Sequence, residues 1–440
     1  MVRPAGDPAI EDGLVGPVET TERLVSLDVL RGVAVLGILV MNIYGFAMPF
    51  AAYTNPLVWG GTEWPNLGTW FVTHVVFDQK FMAIFSMLFG AGLILMYERA
   101  QAKNAAFGKI FFRRQVWLML LGLLHAYLIW FGDILFMYAV VGMLAYLFRN
   151  LKARSLIICG CILLLIAPLL ALGGGAYMQD LKSRAEALQH LHEAGEVLTD
   201  EQQATIDEWD TTRVFLMPGD KEIAAEVEAY RGSYTASVEH RIPFVVSLQT
   251  EGLLFFGLWR VGGLMLIGMA LMKIGVLGNA QNTGFYRKLT ILSYTLGLSM
   301  TIFSAVNAHA HQFDAMYMFR IGSLANYFGS VLVAFGHIGL LMLLCRSGAL
   351  VSLLGRFAAV GQMALTNYLM HSVVMTAIFY GWGLGLYGEV PRVWQMAFVL
   401  ALIGLQLILS PWWLGRFRFG PLEWMWRSLT YGRRQPLVRK

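Results

Sequence analysis

The chain has 440 residues, of which 57% are hydrophobic and only 14% are charged, and its mean hydropathy is +0.58. A soluble globular domain is neither this apolar nor this poor in charge, so the composition excludes that class. It indicates a polytopic membrane protein instead.

Ten apolar stretches are long enough to cross a bilayer, which takes roughly 20 residues of helix. They cover residues 29–49, 69–97, 114–131, 132–149, 155–177, 252–272, 287–306, 323–345, 357–380 and 393–414. The first has no basic segment before it and no small-residue cleavage motif after it, so we expect it to be a span and not a removable signal peptide. The sequence predicts an all-α bundle of about ten transmembrane helices.

The third and fourth stretches are nearly continuous, but a single helix over residues 116–148 would be roughly 50 Å long. That length exceeds a hydrocarbon core of about 30 Å. Basic residues also flank both ends, with Arg114 before and Arg149 after, so both ends favour the same side of the membrane. We therefore predict a hairpin that turns at Gly132, with Asp133 as the N-cap of the returning helix.

Lysine and arginine are concentrated in alternate loops. Five lie in residues 98–115, three in 149–154, three in 273–288, two in 346–356 and seven in 415–440. The opposite short loops, at residues 50–68, around 131, 307–322 and 381–392, hold only Arg320 and Arg392. Both termini are therefore predicted to be cytoplasmic. Because the net charge of +5 is concentrated on that face, it gives no reason to expect a nucleic-acid partner.

Residues 178–250 are rich in acidic residues, glutamine and alanine, and would lie outside the cell in this topology. Thr199 or Asp200 is expected to cap a helix there. The predicted division is a tail (1–27), a first bundle (28–177), a small external helical insertion (178–250), a second bundle (251–414) and a basic tail (415–440). A solvated connector and a substrate lid remain alternative roles for the insertion.

All three cysteines fall in predicted spans, and the chain has neither metal-ligand spacing nor a Gly-x-Ser-x-Gly motif. We therefore expect no disulfide framework and no metal centre.

Polar side chains within the spans are the candidates for function, because each is costly in hydrocarbon. Counting about 1.5 Å per residue along the spans places six of them at one level, slightly outside the midplane: Asn42, Asp78, Lys80, His125, Arg260 and His371. Asp133 and Tyr44 are expected just above. Such a layer suits a buried site, although each member has a structural alternative. In the structural alternatives, Arg260 would neutralise the charge of Asp78, and Asn42 would join two helices.

The two histidines can exchange a proton near neutral pH. Asn367 is one helical turn before His371 and shares its face. His371 is therefore a candidate general base for an acceptor hydroxyl or amine, or else a histidine satisfied by Asn367 or a carbonyl.

Asp28 and Arg31 share the first turns of the first span, at the predicted cytoplasmic rim. Arg31 suits a phosphate arriving from the cytoplasm, and a local ion pair without a ligand is the alternative. In the C-terminal tail, Trp424 and Trp426 beside basic residues are expected to bind membrane lipids or, equally, the phosphate of a nucleotide donor.

Several longer motifs are spread along the chain: "SLDVLRGVAVLGILVMNI", "KFMAIFSMLFGAGL", "GLLHAYLIWFGDILFMYAVVG", "GQMALTNYLMHSVV" with "FYGWGLGLYG", and "FGPLEWMWRSLTYGRRQPL". They resemble the YeiB family of bacterial inner-membrane proteins, whose C-terminal half is a domain of unknown function. The resemblance covers residues 23–435 and implies a multipass protein of the inner (plasma) membrane. The segment 178–250 carries none of these motifs.

The opening S-[LV]-D-x-x-R-G is also similar to that of heparan-α-glucosaminide acetyltransferases and, more loosely, of other membrane acyltransferases. This resemblance implies transfer of an acyl group from cytoplasmic acyl-CoA to an acceptor across the bilayer. Asp28 and Arg31 occupy the matching positions, as a donor-side or structural element. The luminal catalytic histidine of that group has two candidate counterparts here, His74 and His125.

Two hypotheses follow. In an acyltransferase, His125 or His371 would deprotonate a small-molecule, lipid or glycan acceptor, and Asp133 would orient His125 or the acceptor. The substrate would be held by polar residues of the layer: Asn42, Asp78, Lys80, Arg260 and Asn367. In a secondary transporter, the same layer would bind a substrate or protons at the midplane. The sequence predicts no oligomeric state.

Overall fold

A computed structural model of the chain describes residues 24–439, which form eighteen α-helices and no β-sheet. The helices are α1 (Val25–Ala47), α2 (Ala51–Thr54), α3 (Asn66–Val76), α4 (Lys80–Ala102), α5 (Phe107–Leu128), α6 (Leu135–Ala145), α7 (Ala153–Glu193), α8 (Asp200–Leu216), α9 (Asp220–Arg231), α10 (Tyr234–Ser247), α11 (Gly262–Lys273), α12 (Thr283–Ala310), α13 (Ala315–Tyr317), α14 (Leu324–Ser347), α15 (Val351–Gln362), α16 (Ala364–Phe379), α17 (Arg392–Arg416) and α18 (Pro421–Tyr431). A short 3₁₀ segment (Tyr146–Phe148) follows α6, and π-helical segments precede α11 (Leu248–Val261) and α14 (Met318–Gly322).

Within the described residues, seven helical stretches are long and apolar enough to cross a membrane. They are Val25–Ala47, Asn66–Ala102, Ala153–Glu193, Tyr234–Lys273, Thr283–Ala310, Leu324–Ser347 and Arg392–Arg416. Two shorter apolar helices are Leu135–Phe148 and Ala364–Phe379. The chain is thus an all-α, polytopic membrane bundle, as predicted. The count of ten spans and the cytoplasmic position of the termini remain predictions.

Two of the predicted spans are interrupted. Residues 69–97 are divided between α3 and α4, and Gln79 at the break has a left-handed backbone conformation. The ammonium group of Lys80 donates a hydrogen bond of 2.6 Å to the carbonyl of His74, so a side chain satisfies a carbonyl at the end of α3. Residues 357–380 are divided between α15 and α16 at Met363.

The chain reverses between α5 and α6, which pack against each other. The carboxylate of Asp133 accepts a hydrogen bond of 2.8 Å from the backbone N–H of Phe136, so Asp133 caps α6. Gly122 of α5 faces this turn, and a Cβ atom there would lie 2.4 Å from the nitrogen of Phe136. The glycine therefore lets the two helices approach closely.

The predicted insertion is continuous with two long helices. The helix α7 continues to Glu193, and α10 runs through a π-helical segment into α11 without a break. The predicted limits of the insertion, residues 178 and 250, therefore lie within continuous helices. Thr199 is the N-cap of α8, and its side chain forms a capping box with Gln202.

The first helix lies at the centre of the bundle and contacts α4, α14, α15, α16 and α17. It meets α15 at two glycines. A Cβ atom on Gly32 would lie 1.9 Å from the carbonyl oxygen of Phe357, and one on Gly361 would lie 1.9 Å from that of Asp28. The two backbones touch here, which places the end of α15 beside Asp28.

The tail helix α18 packs against α5 and α16. The carboxylate of Glu423 accepts hydrogen bonds from the backbone N–H groups of Leu365 (2.6 Å) and Thr366 (3.0 Å). It therefore caps α16 from a distant part of the chain. Trp426 donates to the carbonyl of Arg114 on α5 (3.1 Å).

Candidate functional site

A carboxylate, an imidazole and a hydroxyl form a continuous hydrogen-bonded relay inside the bundle. His125 Nδ1 lies 2.8 Å from Asp133 Oδ1, and His125 Nε2 lies 2.8 Å from Ser372 Oγ. The side chains of His125 and Asp133 are only 1% and 2% exposed, and Ser372 is 1% exposed. Because an ionised carboxylate only accepts hydrogen bonds, Nδ1 carries the proton and Nε2 accepts from Ser372.

Three helices hold this relay. His125 lies in the last turn of α5, Asp133 precedes α6, and Ser372 lies on α16. Tyr368, one turn before Ser372, packs its ring edge-on to His125 at a centroid distance of 5.4 Å. Its hydroxyl donates to the carbonyl of Gly132 (3.1 Å). Tyr368 therefore joins α16 to the turn that carries Asp133.

A cavity of about 280 Å³ lies beside the relay. Its apolar wall includes Phe85, Leu88, Phe89, Leu118 and Leu135. Tyr368 and Ile134 also line it, and Tyr368 contacts His125. The cavity thus shares a wall with the relay.

Four arginines line the same cavity at the end of the bundle predicted to be cytoplasmic: Arg31, Arg99, Arg114 and Arg427. Arg31 pairs with Asp28 at 3.0 Å and keeps 32% of its side chain exposed. The guanidinium of Arg114 lies 3.7 Å from the ring centre of Trp426. Asp28 and Glu423 also line this end, so four cationic groups face two carboxylates.

The opposite end of α5 is covered by the insertion. Arg241 is fully buried, and its guanidinium donates to the carbonyls of Leu128 and Ile129. Tyr234 also donates to the carbonyl of Leu128 (2.7 Å). The helix α10 therefore satisfies the last carbonyls of the helix that carries His125.

His371 lies in a second network and does not contact His125. Its Nε2 is 2.8 Å from Gln406 Oε1, and the Gln406 amide donates to the carbonyl of Asn367 (3.0 Å). Asn367 in turn donates to Ser410 (3.1 Å). His371 and Ser372 are neighbours in sequence, but they point to different helices because each residue turns the helix by about 100°.

Asp78 and Lys80 belong to a third network, which joins the break between α3 and α4 to α14. Asn326 bridges them, since its amide nitrogen donates to Asp78 (2.7 Å) and its oxygen accepts from Lys80 (2.8 Å). His74 lies 3.3 Å from Asp78. Asp78 and Lys80 therefore both pair with Asn326 of another helix.

Arg260 and Asn42 share no hydrogen bond with these networks among the described residues. The fully buried guanidinium of Arg260 donates to the carbonyl of Tyr327 (3.0 Å) and to Ser330 (2.7 Å), and no ion pair links it to Asp78 within residues 24–439. Asn42 is half-buried on α1. The polar layer is thus divided among several helix interfaces.

The sequence analysis missed Ser372 as the partner of His125. The available signal was the run "NYLMHS", in which a second polar residue follows His371 directly. It also missed Tyr368, Asn326 and Gln406. The sequence pattern around these residues does not distinguish them from other residues at helix interfaces. Within residues 24–439, no group of three or more His, Cys, Asp or Glu side chains is placed to hold a metal ion.

Together, the fold and the site define a multipass α-helical membrane protein with a buried carboxylate–imidazole–hydroxyl relay beside an internal cavity. Residues 271–433 match a family described as "Protein of unknown function (DUF418)". The chain is 31% identical over 441 residues to the uncharacterized protein YxaH of Bacillus subtilis (strain 168), covering 96% of this chain and 98% of the relative.

A second relative is the uncharacterized protein YeiB of Escherichia coli (strain K12), with 30% identity over 425 residues that cover 95% of this chain and 99% of the relative. An uncharacterized 39.9 kDa protein of Bacillus acidopullulyticus is 26% identical over 424 residues, covering 96% of this chain and 98% of the relative. The chain belongs to the YeiB family. No solved structure matches it.

Proposed function

We propose that this protein is an acyltransferase of the bacterial inner membrane. It takes an acyl group from a cytoplasmic acyl-CoA and passes it to a small-molecule, lipid or glycan acceptor. The observation that carries the proposal is the cavity, which has arginines at one end, an apolar wall, and Tyr368 shared with the Asp133–His125–Ser372 relay.

The donor fits this cavity by its chemistry. Guanidinium groups bind phosphates through charge-assisted, bidentate hydrogen bonds. Along α5, Arg114 and His125 are separated by about 17 Å at 1.5 Å per residue. A long flexible arm between the phosphates and the thioester, as in CoA, spans such a separation. The apolar wall suits the acyl group.

His125 is the general base in this proposal. Its Nε2 accepts a hydrogen bond from the Ser372 hydroxyl and can take the proton of that hydroxyl, or of an acceptor hydroxyl or amine that displaces it. Asp133 orients the ring and stabilises the imidazolium that forms. His371 is less suited, because its Nε2 donates to the amide oxygen of Gln406 and its Nδ1 has no partner among the described residues to orient the ring. The polar groups outside the relay then position helices or shape the acceptor path: Asn42, Asp78, Lys80, Arg260 and Asn367.

Binding of acyl-CoA to the purified protein in detergent tests the donor site. We expect saturable binding that Arg31→Ala weakens about 10-fold, because one charge-assisted hydrogen bond contributes about 1.5–3 kcal/mol. Arg356→Ala is the matched control, since Arg356 is an exposed arginine outside the cavity. A well-folded protein that binds no acyl-CoA would overturn the proposal.

Secondary transport is the second candidate, and the Asp78–Asn326–Lys80 network favours it. Two buried charges bridged by an amide at the break between α3 and α4 resemble the discontinuous helices that line carrier sites. Substrate uptake into proteoliposomes without acyl-CoA, lost in Asp78→Asn, would favour transport over transfer.

A further inference from the structure

We propose that Ser372 carries the acyl group as a covalent ester between donor and acceptor. This inference rests on the proposed acyl transfer and adds a step to it. The proposal is based on two contacts of one imidazole ring. The Ser372 hydroxyl lies 2.8 Å from His125 Nε2, and Asp133 lies 2.8 Å from Nδ1 of the same ring. A serine so placed is activated by an adjacent base whose orientation a third group fixes.

The orientation of this hydroxyl differs from that of its neighbours. Buried serine and threonine side chains in helices commonly donate to the carbonyl four residues earlier. Ser86 does so with Met82 (2.8 Å), and Thr376 does so with Ser372 itself (2.6 Å). The Ser372 hydroxyl bonds instead to His125, which is 247 positions away in the chain.

Helix capping does not account for the relay. Capping of α6 uses the other oxygen of Asp133, Oδ2, which accepts from Phe136. The contact of Oδ1 with His125, and the contact of His125 with Ser372, add two more buried polar groups that a cap does not need. Burying polar groups in hydrocarbon is costly, so their alignment favours a chemical role.

Ser372 does not itself line the donor cavity, but it is separated from the cavity by Tyr368. Tyr368 lines the cavity and lies one helical turn, about 6 Å along the axis, before Ser372 on the same face of α16. A thioester whose phosphates lie at the arginines therefore brings its carbonyl toward the side of the helix that carries Ser372.

The first half-reaction needs no oxidant or reductant. His125 Nε2 takes the hydroxyl proton, and Ser372 Oγ forms a bond to the thioester carbonyl carbon. The carbon–sulfur bond then breaks, and the leaving thiolate receives the proton from the imidazolium. The products are free CoA and an acyl ester on Ser372.

In the second half-reaction, His125 takes a proton from the acceptor hydroxyl or amine, which attacks the ester carbonyl. The bond from carbon to Ser372 Oγ breaks, and the imidazolium returns its proton to Oγ. Burial of the relay excludes the water that would otherwise hydrolyse the ester. Donor and acceptor then need not bind together, so one buried site serves substrates that arrive from different sides of the membrane.

The test uses the full chain in detergent with ¹⁴C-acetyl-CoA and ¹⁴C-palmitoyl-CoA, in separate reactions without acceptor. We expect label on the peptide that contains Ser372, released by hydroxylamine, and exchange of free CoA into acyl-CoA. Ser372→Ala and His125→Ala should lose label and exchange by roughly 10³-fold or more. Ser372→Cys, which keeps a nucleophile, should retain a labelled adduct, now a thioester.

Ser304→Ala is the matched control. Ser304 is a fully buried serine on α12 whose hydroxyl has no hydrogen-bond partner within residues 24–439, and it lies outside the cavity and the relay. Its removal should therefore leave labelling unchanged. If Ser372→Ala still transfers acyl groups to acceptor at the wild-type rate, the covalent carrier is overturned and the proposed function stands. If folded wild-type protein binds no acyl-CoA, both are overturned.

Discussion

At the scale of single residues, Asp133 has two separable tasks. One carboxylate oxygen caps α6 through Phe136, and the other holds His125. Only the second task requires a negative charge, because a neutral amide oxygen also accepts a backbone hydrogen bond. The two tasks can therefore be tested by one substitution.

Asp133→Asn is expected to keep the helix cap and to lose the carboxylate that fixes the tautomer of His125. Acyl transfer should fall by about 10²–10⁴-fold, as when the carboxylate of a Ser-His-Asp arrangement is replaced. The thermal midpoint should change little. Rates of transfer and thermal unfolding in detergent measure both, and normal transfer by Asp133→Asn would contradict the role given to Asp133.

Glu226, on α9 outside the candidate spans, accepts hydrogen bonds from the Phe50 N–H and the Tyr387 hydroxyl, both at 2.9 Å. Burial raises the pKa of its carboxyl above the ordinary value. The folded protein thus holds this proton more tightly than the unfolded chain, so stability should rise as pH falls through the range between the two pKa values.

Glu226→Gln keeps an acceptor oxygen and removes the titration. At pH values just above the ordinary pKa of a glutamate carboxyl, we expect the thermal stability of the variant to depend less on pH than that of the wild type. Glu186→Gln, at an exposed carboxylate paired with Lys182, is the control. Identical pH profiles for wild type and Glu226→Gln would exclude this assignment.

At the scale of helices, the interface of α1 with α15 depends on backbone contact. Gly361 lies against the carbonyl of Asp28, so any side chain there must push the helices apart. The contact also places α15 beside the Asp28–Arg31 pair at the cavity mouth. Helix spacing and donor site are therefore coupled.

Gly361→Ala is expected to destabilise the protein by about 1–3 kcal/mol or more through overpacking. Gly355→Ala is the control on the same helix, because beyond the local helix backbone no atom of the described residues lies within 4 Å of its added Cβ. Alanine is the better helix former, so that variant should be neutral or slightly more stable. Thermal unfolding measures both, and equal stability of the two variants would refute the contact.

At the scale of the whole molecule, the relay lies between a cavity with arginines at one end and a cover formed by α10 at the other. In our proposal these are the cytoplasmic and external sides. The orientation rests on the loop charges, which place α18 inside and the α8–α9 region outside.

Cysteine labelling checks this orientation. In a variant without native cysteines, Glu196→Cys should react with a membrane-impermeant maleimide on intact cells, since Glu196 is exposed between α7 and α8. Arg433→Cys, in the exposed tail, should react only after permeabilisation. The reverse pattern would invert the topology and remove the cytoplasmic donor from the proposal.

Local pattern determined most of the fold. Apolar runs located the helices, charge on both flanks of residues 116–148 predicted the hairpin, and the spacing of Asp28 and Arg31 predicted their ion pair. The sequence also predicted Thr199 as one of two candidate N-caps of α8. These features depend on residues within a few turns of one another, so one sequence suffices to predict them.

The tertiary structure alone decided which polar residues meet. The depth of a residue in the membrane can be counted along its helix. Which side chain it contacts depends on which helices pack beside it, and the sequence does not show that arrangement. His125 therefore bonds Ser372 and not His371, although the two are adjacent on α16. The expected single layer became separate networks because each helix interface encloses its own polar groups, which must be satisfied where they are buried.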